Sequence, residues 1–288
     1  MKYFQLQKFP YQTTLKKGFI IKGRSLANNH QVLVNCQPAR PDMGLVFVVN
    51  NKPIKANWKN FKKSEFHTTM LAKNKVCVMT VEHILSAFYG LQIDNALIEL
   101  KGDNQLPLLD ASSALYARKI LAVGIKRFNQ PKNILRVNNT YFIKSDINGG
   151  FIIFLPDKKF VLKAIIDFNN LISSQIFEYQ PTSPKDYYKK ISLARTFLIK
   201  PFAQKRWQQI RRQINCLPQD PAKSDILVYD RQKYLNKLRY KNEPVRHKVL
   251  DFLGDLSLLG YQLVGKIIVY KPGHYFTYQI IREISKLI

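Results

Sequence analysis

The sequence predicts an α+β fold in two domains of related architecture. Short β-rich runs are followed by helical patterns, and this order occurs twice along the chain. A polar stretch, KRFNQPKN at residues 126–133, has the composition of a linker between the halves. The 288 residues are enough for two domains of ordinary size with a real core. We therefore predict a first domain at residues 1–127 and a second at 133–288, with an insert around 198–225.

The first half combines strands with two helices. QVLVNCQPA and MGLVFVVN are β-rich runs, and the turn signal ARPDMG separates them. TVEHILSAFYGL has an apolar stripe at helical spacing, and Thr80 is its predicted N-cap. NALIEL is predicted as a strand, and ASSALYARKILAVGI as the second helix.

The second half repeats this order. ILRVNNTYFIKS, GFIIFLP and FVLKAIIDF are predicted strands, and SPKDYYKKISLARTF carries a helix that ends in a turn at residues 195–197. A longer helix begins at residue 243, then GKIIVYKPG is a strand and TYQIIREISKLI is the closing helix. The halves share an order of elements but no convincing sequence identity.

The helix that begins at residue 243 has an unusual polar face. Pro244 suits its first turn and Gly260 suits its stop. At 100° per residue, His247, Asp251 and Asp255 lie one turn apart, opposite a broad apolar face. Such a stripe is either a solvated face with a surface ion pair or a face that holds something, and the spacing leaves both readings open.

Three of the five histidines stand in settings that suit chemistry. His83 follows Glu82 at a helix start, His247 precedes Asp251 by one turn, and His274 follows a strand in KPGHYF. Two histidines and an aspartate suffice for a catalytic zinc with an open position. Glu82 is then a candidate general base, His274 a candidate acid, and Asp255 its support. The alternative is ordinary: a surface pair, and histidines with structural roles.

The net charge of +27 indicates attraction to polyanions, which include nucleic acid, anionic membrane surfaces and phosphorylated substrates. The lysines are dispersed, however, and the chain has no RNP motif, zinc finger or helix-turn-helix pattern. The densest basic patch is residues 200–213. We predict no nucleic-acid partner, although a basic nucleic-acid-binding protein stays open as an alternative.

Cysteine spacing and the length of the apolar runs predict the compartment and the relation to membranes. The three cysteines show no CxxC and no pairable spacing, which favours a reducing compartment. The longest apolar runs are strand-sized, and the first residues lack a signal-peptide core. We predict no transmembrane segment, with peripheral membrane contact left open, and a monomer in a bacterial cytoplasm or a plastid stroma.

Several long segments, read together, resemble the zinc-dependent UDP-3-O-acyl-N-acetylglucosamine deacetylase (LpxC) family of lipid A biosynthesis. TVEHILSAFYGLQIDNALIEL resembles its first metal motif, and LRYKNEPVRHKVLDFLGDLSLLG resembles its second. SLARTF and KPGHYF resemble its SRARTF and SGHxxN segments, and QPARPDMGLVF and LPLLDASSALY resemble two more. The order and spacing agree over about residues 15–281.

The resemblance implies a fold, a reaction and a set of roles. The fold is two domains, each a β-sheet packed on a pair of helices, with the active site between them. The reaction is hydrolysis of an N-acetyl amide that releases acetate, which is the committed step of lipid A biosynthesis. The implied zinc ligands are His83, His247 and Asp251.

The other implied roles are catalytic and substrate-binding. Glu82 is the general base, His274 is the proton donor oriented by Asp255, and Thr196 helps to hold the oxyanion. Lys248, Phe197 and His67 are placed at the substrate. An acyl chain would lie in a hydrophobic passage formed by the insert after ARTF, which includes Trp207.

Three segments depart from the family pattern. The family's GLHSG is GRSLA here, its DGS is DAS, and its GGSxxN loop on the nucleotide side is DPAKSD at residues 220–225. In the family's loop the glycines would let the backbone approach the ligand closely, and residues 220–225 of this chain lack them. Because the metal and acid–base positions are all kept, we expect an active enzyme with altered substrate contacts. The alternative is a catalytically weakened member that binds an anionic ligand.

Overall fold

The computed structural model describes residues 2–62, 64, 68–168, 172–199, 208, 211–212, 217–230 and 233–288. Within these residues the chain forms two large β-sheets, smaller strand groups and five α-helices, so the predicted α+β class is confirmed. The helices are α1 (Glu82–Gly90), α2 (Ala114–Val123), α3 (Pro184–Tyr187), α4 (Glu243–Leu256) and α5 (His274–Leu287).

The first sheet is built by the first half of the chain. The contact between the third and fourth of its five strands is parallel, and its other contacts are antiparallel. In spatial order its strands are β3 (Phe19–Arg24), β4 (Gln31–Pro38), β10 (Ala96–Lys101), β5 (Leu45–Val49) and β6 (Lys52–Lys55). Alternate residues of β4 are buried, which is the pattern of a sheet with one face on a core.

The second sheet has seven strands in all, and the longest of them pairs with three others. Its strands are β1 (Phe4–Phe9), β12 (Lys132–Val137), β13 (Tyr141–Lys144), β14 (Phe151–Leu155), β15 (Phe160–Ile166), β16 (Gln175–Tyr179) and the long central β20 (Gln262–Tyr270). The first strand of the chain therefore lies in this sheet, antiparallel to β12. The division at residues 127 and 133 stays a prediction. Strand β1 precedes this division in sequence but lies in the sheet that the second half otherwise builds.

The remaining described strands form small groups near the helices. One pair is β2 (Thr13–Leu15) with β11 (Ile125–Arg127), and one three-stranded group is β7 (Phe61–Lys62), β8 (Met70–Lys73) and β9 (Val76–Met79). The other group is β17 (Phe197–Ile199), β18 (Leu227–Asp230) and β19 (Lys233–Tyr234). Strands β11 and β12 occupy much of the stretch predicted as a linker, because both pair with strands from the start of the chain.

One hydrophobic core joins both sheets to the helices. It includes Phe47 of the first sheet, Phe154 of the second, Ile84 of α1, Val249 of α4 and Ile280 of α5. Helices α1 and α4 therefore have their apolar faces inside the molecule.

The prediction that Thr80 caps α1 is wrong. The helix begins at Glu82, and Val81 at its N-cap position makes no side-chain capping bond. Thr80 has a φ of 61°, and its hydroxyl accepts a hydrogen bond from Gln105 Nε2 at 3.0 Å. The threonine side chain therefore anchors a turn from outside the helix. The predicted helix near residue 184 is present but only partly α-helical, since a π-helix, Tyr188–Ser192, continues α3.

Candidate metal centre

The polar stripe of α4 is buried. His247 is 1% exposed, Asp251 5% and Asp255 2%, so the solvated reading of this stripe is excluded. Of the residues of α4, only Arg246 and Lys248 are not buried. Buried carboxylates and imidazoles are costly unless they are paired or hold an ion, so this face must satisfy them from inside the protein.

Helix α1 supplies the groups that face this stripe. Gly254 of α4 lies against the backbone of Glu82, so the two helices meet in direct main-chain contact. The first turn of α1, with Glu82 and His83, is thereby brought beside Asp251 and Asp255. A side chain at position 254 would separate the helices, which is why a glycine is required at this close approach.

Three buried side chains form one candidate metal site in the described part of the chain: His83, His247 and Asp251. Asp251 Oδ1 lies 3.2 Å from His247 Nε2 and 3.9 Å from His83 Nε2, and one donor atom from each residue lies within 4.8 Å of the others. Tetrahedral zinc with bonds of about 2.1 Å places its ligand atoms about 3.4 Å apart. The donor types and spacing therefore fit zinc with an open fourth position.

Neighbouring groups orient the donors. The Nδ1 atom of His247 lies 3.1 Å from the backbone oxygen of Ala194, a hydrogen bond that leaves Nε2 directed at Asp251. Lys248 Nζ donates to Asp251 Oδ2 at 2.8 Å, so the second carboxylate oxygen is also held. Each of these contacts aims a donor atom at the centre of the group.

The electrostatics of the group favour cation binding. Burial, with help from His247, lowers the pKa of His83 to about 3, so this imidazole is neutral. Burial raises the pKa of Asp251, but the charges of His247 and Lys248 outweigh that effect and bring the pKa well below its usual range. A neutral imidazole and an ionised carboxylate are the protonation states that bind metal.

Glu82 stands next to the metal group and is 3% exposed. Burial raises its pKa to about 7, although the charge of His274 acts in the opposite direction. A carboxyl group with a pKa near neutrality can take a proton from water and release it again, as a general base must.

His274, at the first position of α5, pairs with Asp255. Its Nδ1 atom lies 2.7 Å from Asp255 Oδ2, and its Nε2 atom lies 3.9 Å from Asp251 Oδ2. Burial lowers the pKa of His274, but Asp255 raises it more strongly, and the result is a pKa of about 9. The imidazole is therefore a cation at neutral pH, with a proton available on Nε2.

Phe197 and Lys248 lie beside this centre, and Thr196 directly precedes Phe197 in the chain. The N–H of Thr196 donates to the carbonyl of Ala111 at 2.8 Å, which fixes the turn before β17. The ring of Phe197 lies 6.0 Å from the ring of His247, and Lys248 Nζ lies 5.5 Å from the Phe197 ring centre. His67 is outside the described residues, as are Trp207 and most of the predicted insert and basic patch.

Sequence reasoning missed two buried groups that support the site. Arg195 forms a bidentate pair with Glu243, with nitrogen–oxygen distances of 2.8 and 3.1 Å, at the start of α4. Thr69 joins the Glu82 and Asp255 carboxylates. Arg195 lies inside the SLARTF segment, so that motif was a signal for it. Thr69 lies in EFHTTM, and nothing in its spacing pointed to α4.

Comparison with known proteins gives consistent matches. A sequence model described as UDP-3-O-acyl N-acetylglycosamine deacetylase, LpxC, matches residues 12–286. A protein of Teredinibacter turnerae named UDP-3-O-acyl-N-acetylglucosamine deacetylase is 33% identical, over 96% of this chain and 90% of that protein. Proteins with the same name from Actinobacillus succinogenes and Wigglesworthia glossinidia brevipalpis are 31% and 30% identical, over 95% and 96% of this chain and 89% and 92% of those proteins.

Proposed function

The chain belongs to the LpxC family of UDP-3-O-acyl-N-acetylglucosamine deacetylases, and we propose that the buried site between α1 and α4 carries out that reaction. The protein is a hydrolase that removes the N-acetyl group of UDP-3-O-acyl-N-acetylglucosamine and releases acetate in lipid A biosynthesis. The supporting observation is that five ionisable side chains from three distant parts of the chain meet in one group, and all except the partly buried His274 are buried: Glu82, His83, His247, Asp251 and His274.

In this proposal His83, His247 and Asp251 hold zinc. When bound, zinc supplies a Lewis acid that polarises the amide carbonyl and favours ionisation of water. The protein's part is to present two imidazoles and one carboxylate, with His247 oriented by the Ala194 carbonyl and Asp251 held by Lys248. An amide is a poor electrophile, so this assistance is what the reaction needs.

Glu82 and His274 divide the proton transfers. Glu82 takes a proton from the attacking water as its oxygen forms a bond to the carbonyl carbon. His274 Nε2–H then donates a proton to the amide nitrogen as the C–N bond breaks, which yields acetate and a free amine. While it is protonated, His274 also stabilises the oxyanion by its charge, and Thr196 is the proposed second donor.

Lys248, Phe197 and His67 are proposed substrate contacts, with Lys248 and Phe197 at the glucosamine or nucleotide end. Lys248 is partly exposed beside the Phe197 ring, which suits a group that meets a diphosphate or sugar. The loop at residues 220–225 differs from the family's glycine-rich loop. Here Asp220 Oδ1 accepts from Ala222 N–H at 2.9 Å and caps a short helical turn, Pro221–Lys223. We propose that this loop weakens or alters the nucleotide contacts.

Release of acetate from UDP-3-O-acyl-N-acetylglucosamine, measured with and without a chelator, tests the proposal. The purified protein should release acetate, lose that activity on chelation and recover it with added zinc. Glu82→Ala should abolish turnover while zinc stays bound. Stoichiometric zinc without acetate release, and with no effect of Glu82→Ala, would instead favour the weakened, ligand-binding alternative. Polyanion binding that falls steeply with salt would favour the nucleic-acid alternative.

The outer face of the second sheet is a candidate for peripheral membrane contact. The strand register places two rows of side chains side by side across β16, β15, β20, β14 and β13. Phe142 is 56% exposed and Ile176 58%, unusual values for large apolar side chains. Seven apolar residues fill these rows: Phe142, Phe151, Ile153, Ile165, Ile176, Ile268 and Tyr270.

An anionic lipid surface is the partner that fits this face. Two lysines and one glutamate, Lys144, Lys163 and Glu178, take the other positions of the two rows, and the whole chain carries a net charge of +27. The large net positive charge of the chain opposes pairing with a second copy and favours an anionic bilayer. Among the described helices, none has the length and apolarity needed to cross a bilayer.

Co-sedimentation with phosphatidylglycerol vesicles, compared with phosphatidylcholine vesicles, tests this contact. The double variant Phe142→Ser/Ile176→Ser should lose binding to the anionic vesicles. Ile20→Ser is the matched control, since Ile20 is 50% exposed on the first sheet. Equal binding by both variants, or dimers in light scattering that only the double variant loses, would contradict the membrane proposal.

We further propose that the enzyme is a monomer in a bacterial cytoplasm, as its relatives are bacterial, while a plastid stroma stays a prediction.

A further inference from the structure

Thr69 lies between the proposed base and the partner of the proposed acid, with none of its surface exposed. It directly precedes β8, and each of its polar groups has a partner. Its N–H donates to Glu82 Oε2 at 3.0 Å, and its carbonyl accepts from Val81 N–H at 3.3 Å. Its hydroxyl oxygen lies 2.5 Å from Asp255 Oδ1 and 3.1 Å from His274 Nδ1. One residue therefore contacts three members of the site.

The direction of these hydrogen bonds follows from the groups involved. The Thr69 hydroxyl donates its proton to Asp255 Oδ1, since a carboxylate oxygen is the acceptor of such a pair. His274 Nδ1–H donates to Asp255 Oδ2 at 2.7 Å, with Thr69 Oγ1 as a second, longer acceptor. Both oxygens of Asp255 are then occupied, and the carboxylate has one orientation.

That orientation decides where the proton of His274 lies. With Nδ1–H directed at Asp255, the other ring proton is on Nε2, which faces Asp251 and the metal group at 3.9 Å. If the carboxylate rotated, the Nδ1–H bond would weaken and the imidazole would lose its aim. The backbone N–H of the same residue meanwhile holds one oxygen of Glu82, so the base and the acid are positioned relative to each other.

We propose that Thr69 is a positioning residue for the deacetylation: through Asp255 and Glu82 it sets the relative placement of the proton donor and the proton acceptor. This inference rests on the proposed function of the site. Thr69 is buried behind both groups and acts only through them. The competing explanation is that a buried hydroxyl has simply found its nearest acceptor, and that its loss would affect stability alone.

Thr69→Val separates these explanations, because valine keeps the side-chain shape and the backbone N–H while the hydroxyl is lost. We expect kcat to fall about 10- to 100-fold, the range seen when partners of site residues are removed. KM and bound zinc should not change, since Thr69 contacts neither substrate space nor a donor atom. Thr69→Ser keeps the hydroxyl and should restore most of kcat. Thr68→Val is the matched control, because its hydroxyl pairs with Ser64 at 3.1 Å.

A direct readout comes from the imidazole of His274, observed by NMR in the zinc-free protein and assigned with His274→Gln. The hydrogen-bonded Nδ1–H resonance should move in Thr69→Val and stay in place in Thr69→Ser and Thr68→Val. Thr69→Ala provides a second hydroxyl-free variant if the valine protein does not fold.

Wild-type kcat in Thr69→Val, an unmoved His274 resonance, or a serine variant as slow as the valine variant would overturn the proposal. Lack of acetate release by the wild-type protein would contradict the proposed function instead. In that case the His274 resonance still decides whether Thr69 positions the Asp255–His274 pair.

Discussion

The backbone oxygen of Glu82 lies 2.1 Å from the position that a Cβ atom on Gly254 would occupy. Both partners in this contact are main-chain atoms of helices, so neither can rotate away as a flexible side chain would. The contact lies between the base on α1 and the metal and acid-supporting carboxylates on α4. The separation of α1 and α4 in the site therefore depends on residue 254 having no Cβ atom.

Gly254→Ala should separate the helices and damage both stability and catalysis. We expect a loss of about 1–3 kcal/mol in the free energy of unfolding, as for other overpacked cores, and weaker zinc binding. Urea unfolding and zinc titration measure these effects. Gly273→Ala is the stability control, because a Cβ there meets open space. Wild-type stability and zinc affinity in Gly254→Ala would show that α1 and α4 can move apart without loss.

Asp251→Ala should remove bound zinc and activity while leaving the fold largely intact. Asp251 Oδ1 lies near the Nε2 atoms of both His83 and His247, so the substitution removes one donor of the metal group. The fold should remain because the apolar face of α4 holds the helix in the core. Elemental analysis and circular dichroism measure the two effects. Asp255→Asn, one turn along the helix, should keep zinc and retain only a reduced, measurable activity. Equal zinc content in Asp251→Ala and wild type would exclude Asp251 as a ligand.

Glu243→Gln should destabilise the protein strongly at neutral pH. Its carboxylate is fully buried and accepts from the Arg195 guanidinium and from the Arg195 and Arg239 N–H groups. Breaking a buried ion pair costs about 3–5 kcal/mol. Glu283→Gln removes an exposed pair with Lys286 and should cost at most about 1 kcal/mol. Chemical unfolding of the two variants compares these losses, and equal losses would mean that burial adds nothing.

The same pair predicts how stability depends on pH. Burial raises the pKa of Glu243, but the bonds from Arg195 and Arg239 outweigh it, and the net pKa is below its ordinary value. The stability it contributes is present above its unfolded pKa of about 4.3 and is lost as pH falls through its folded pKa. The difference in stability between wild type and Glu243→Gln should therefore shrink in acid. A constant difference from pH 7 to pH 3 would contradict this.

Activity should follow a bell-shaped pH profile. Glu82 must be ionised and has a pKa of about 7, so activity rises through that pH. His274 must be protonated and has a pKa of about 9, so activity falls above it. A bound cation favours the carboxylate and disfavours the imidazolium, so zinc moves both limbs toward lower pH. Asp255→Asn should move the basic limb further down, and kcat/KM measured against pH would show it.

Local pattern was enough for α4. The apolar periodicity, Pro244 and Gly260 predicted this helix, and it extends from Glu243 to Leu256 with proline in its first turn. Helical geometry also placed His247, Asp251 and Asp255 on one face. These properties depend on residues within a few turns of each other, which is the range that sequence periodicity describes.

Contacts between distant segments were beyond that range. The pairing of β1 with β12 joins residues more than a hundred positions apart. The hydroxyl of Thr80 accepts its hydrogen bond from Gln105, which is also distant in sequence. Thr69 could not be connected with Asp255 from spacing, because a hydroxyl has no preferred partner until the chain has folded.

The sequence by itself determined the α+β class, the α4 helix with its line of metal-type donors, and family membership through motifs in a fixed order. Only the tertiary structure decided that the donor line is buried, because burial depends on what packs against a face. It also brought α1 to within main-chain contact of α4 at Gly254, and placed Thr69 between Glu82 and Asp255. A motif specifies which groups are available, while packing of distant segments specifies the distances at which they act.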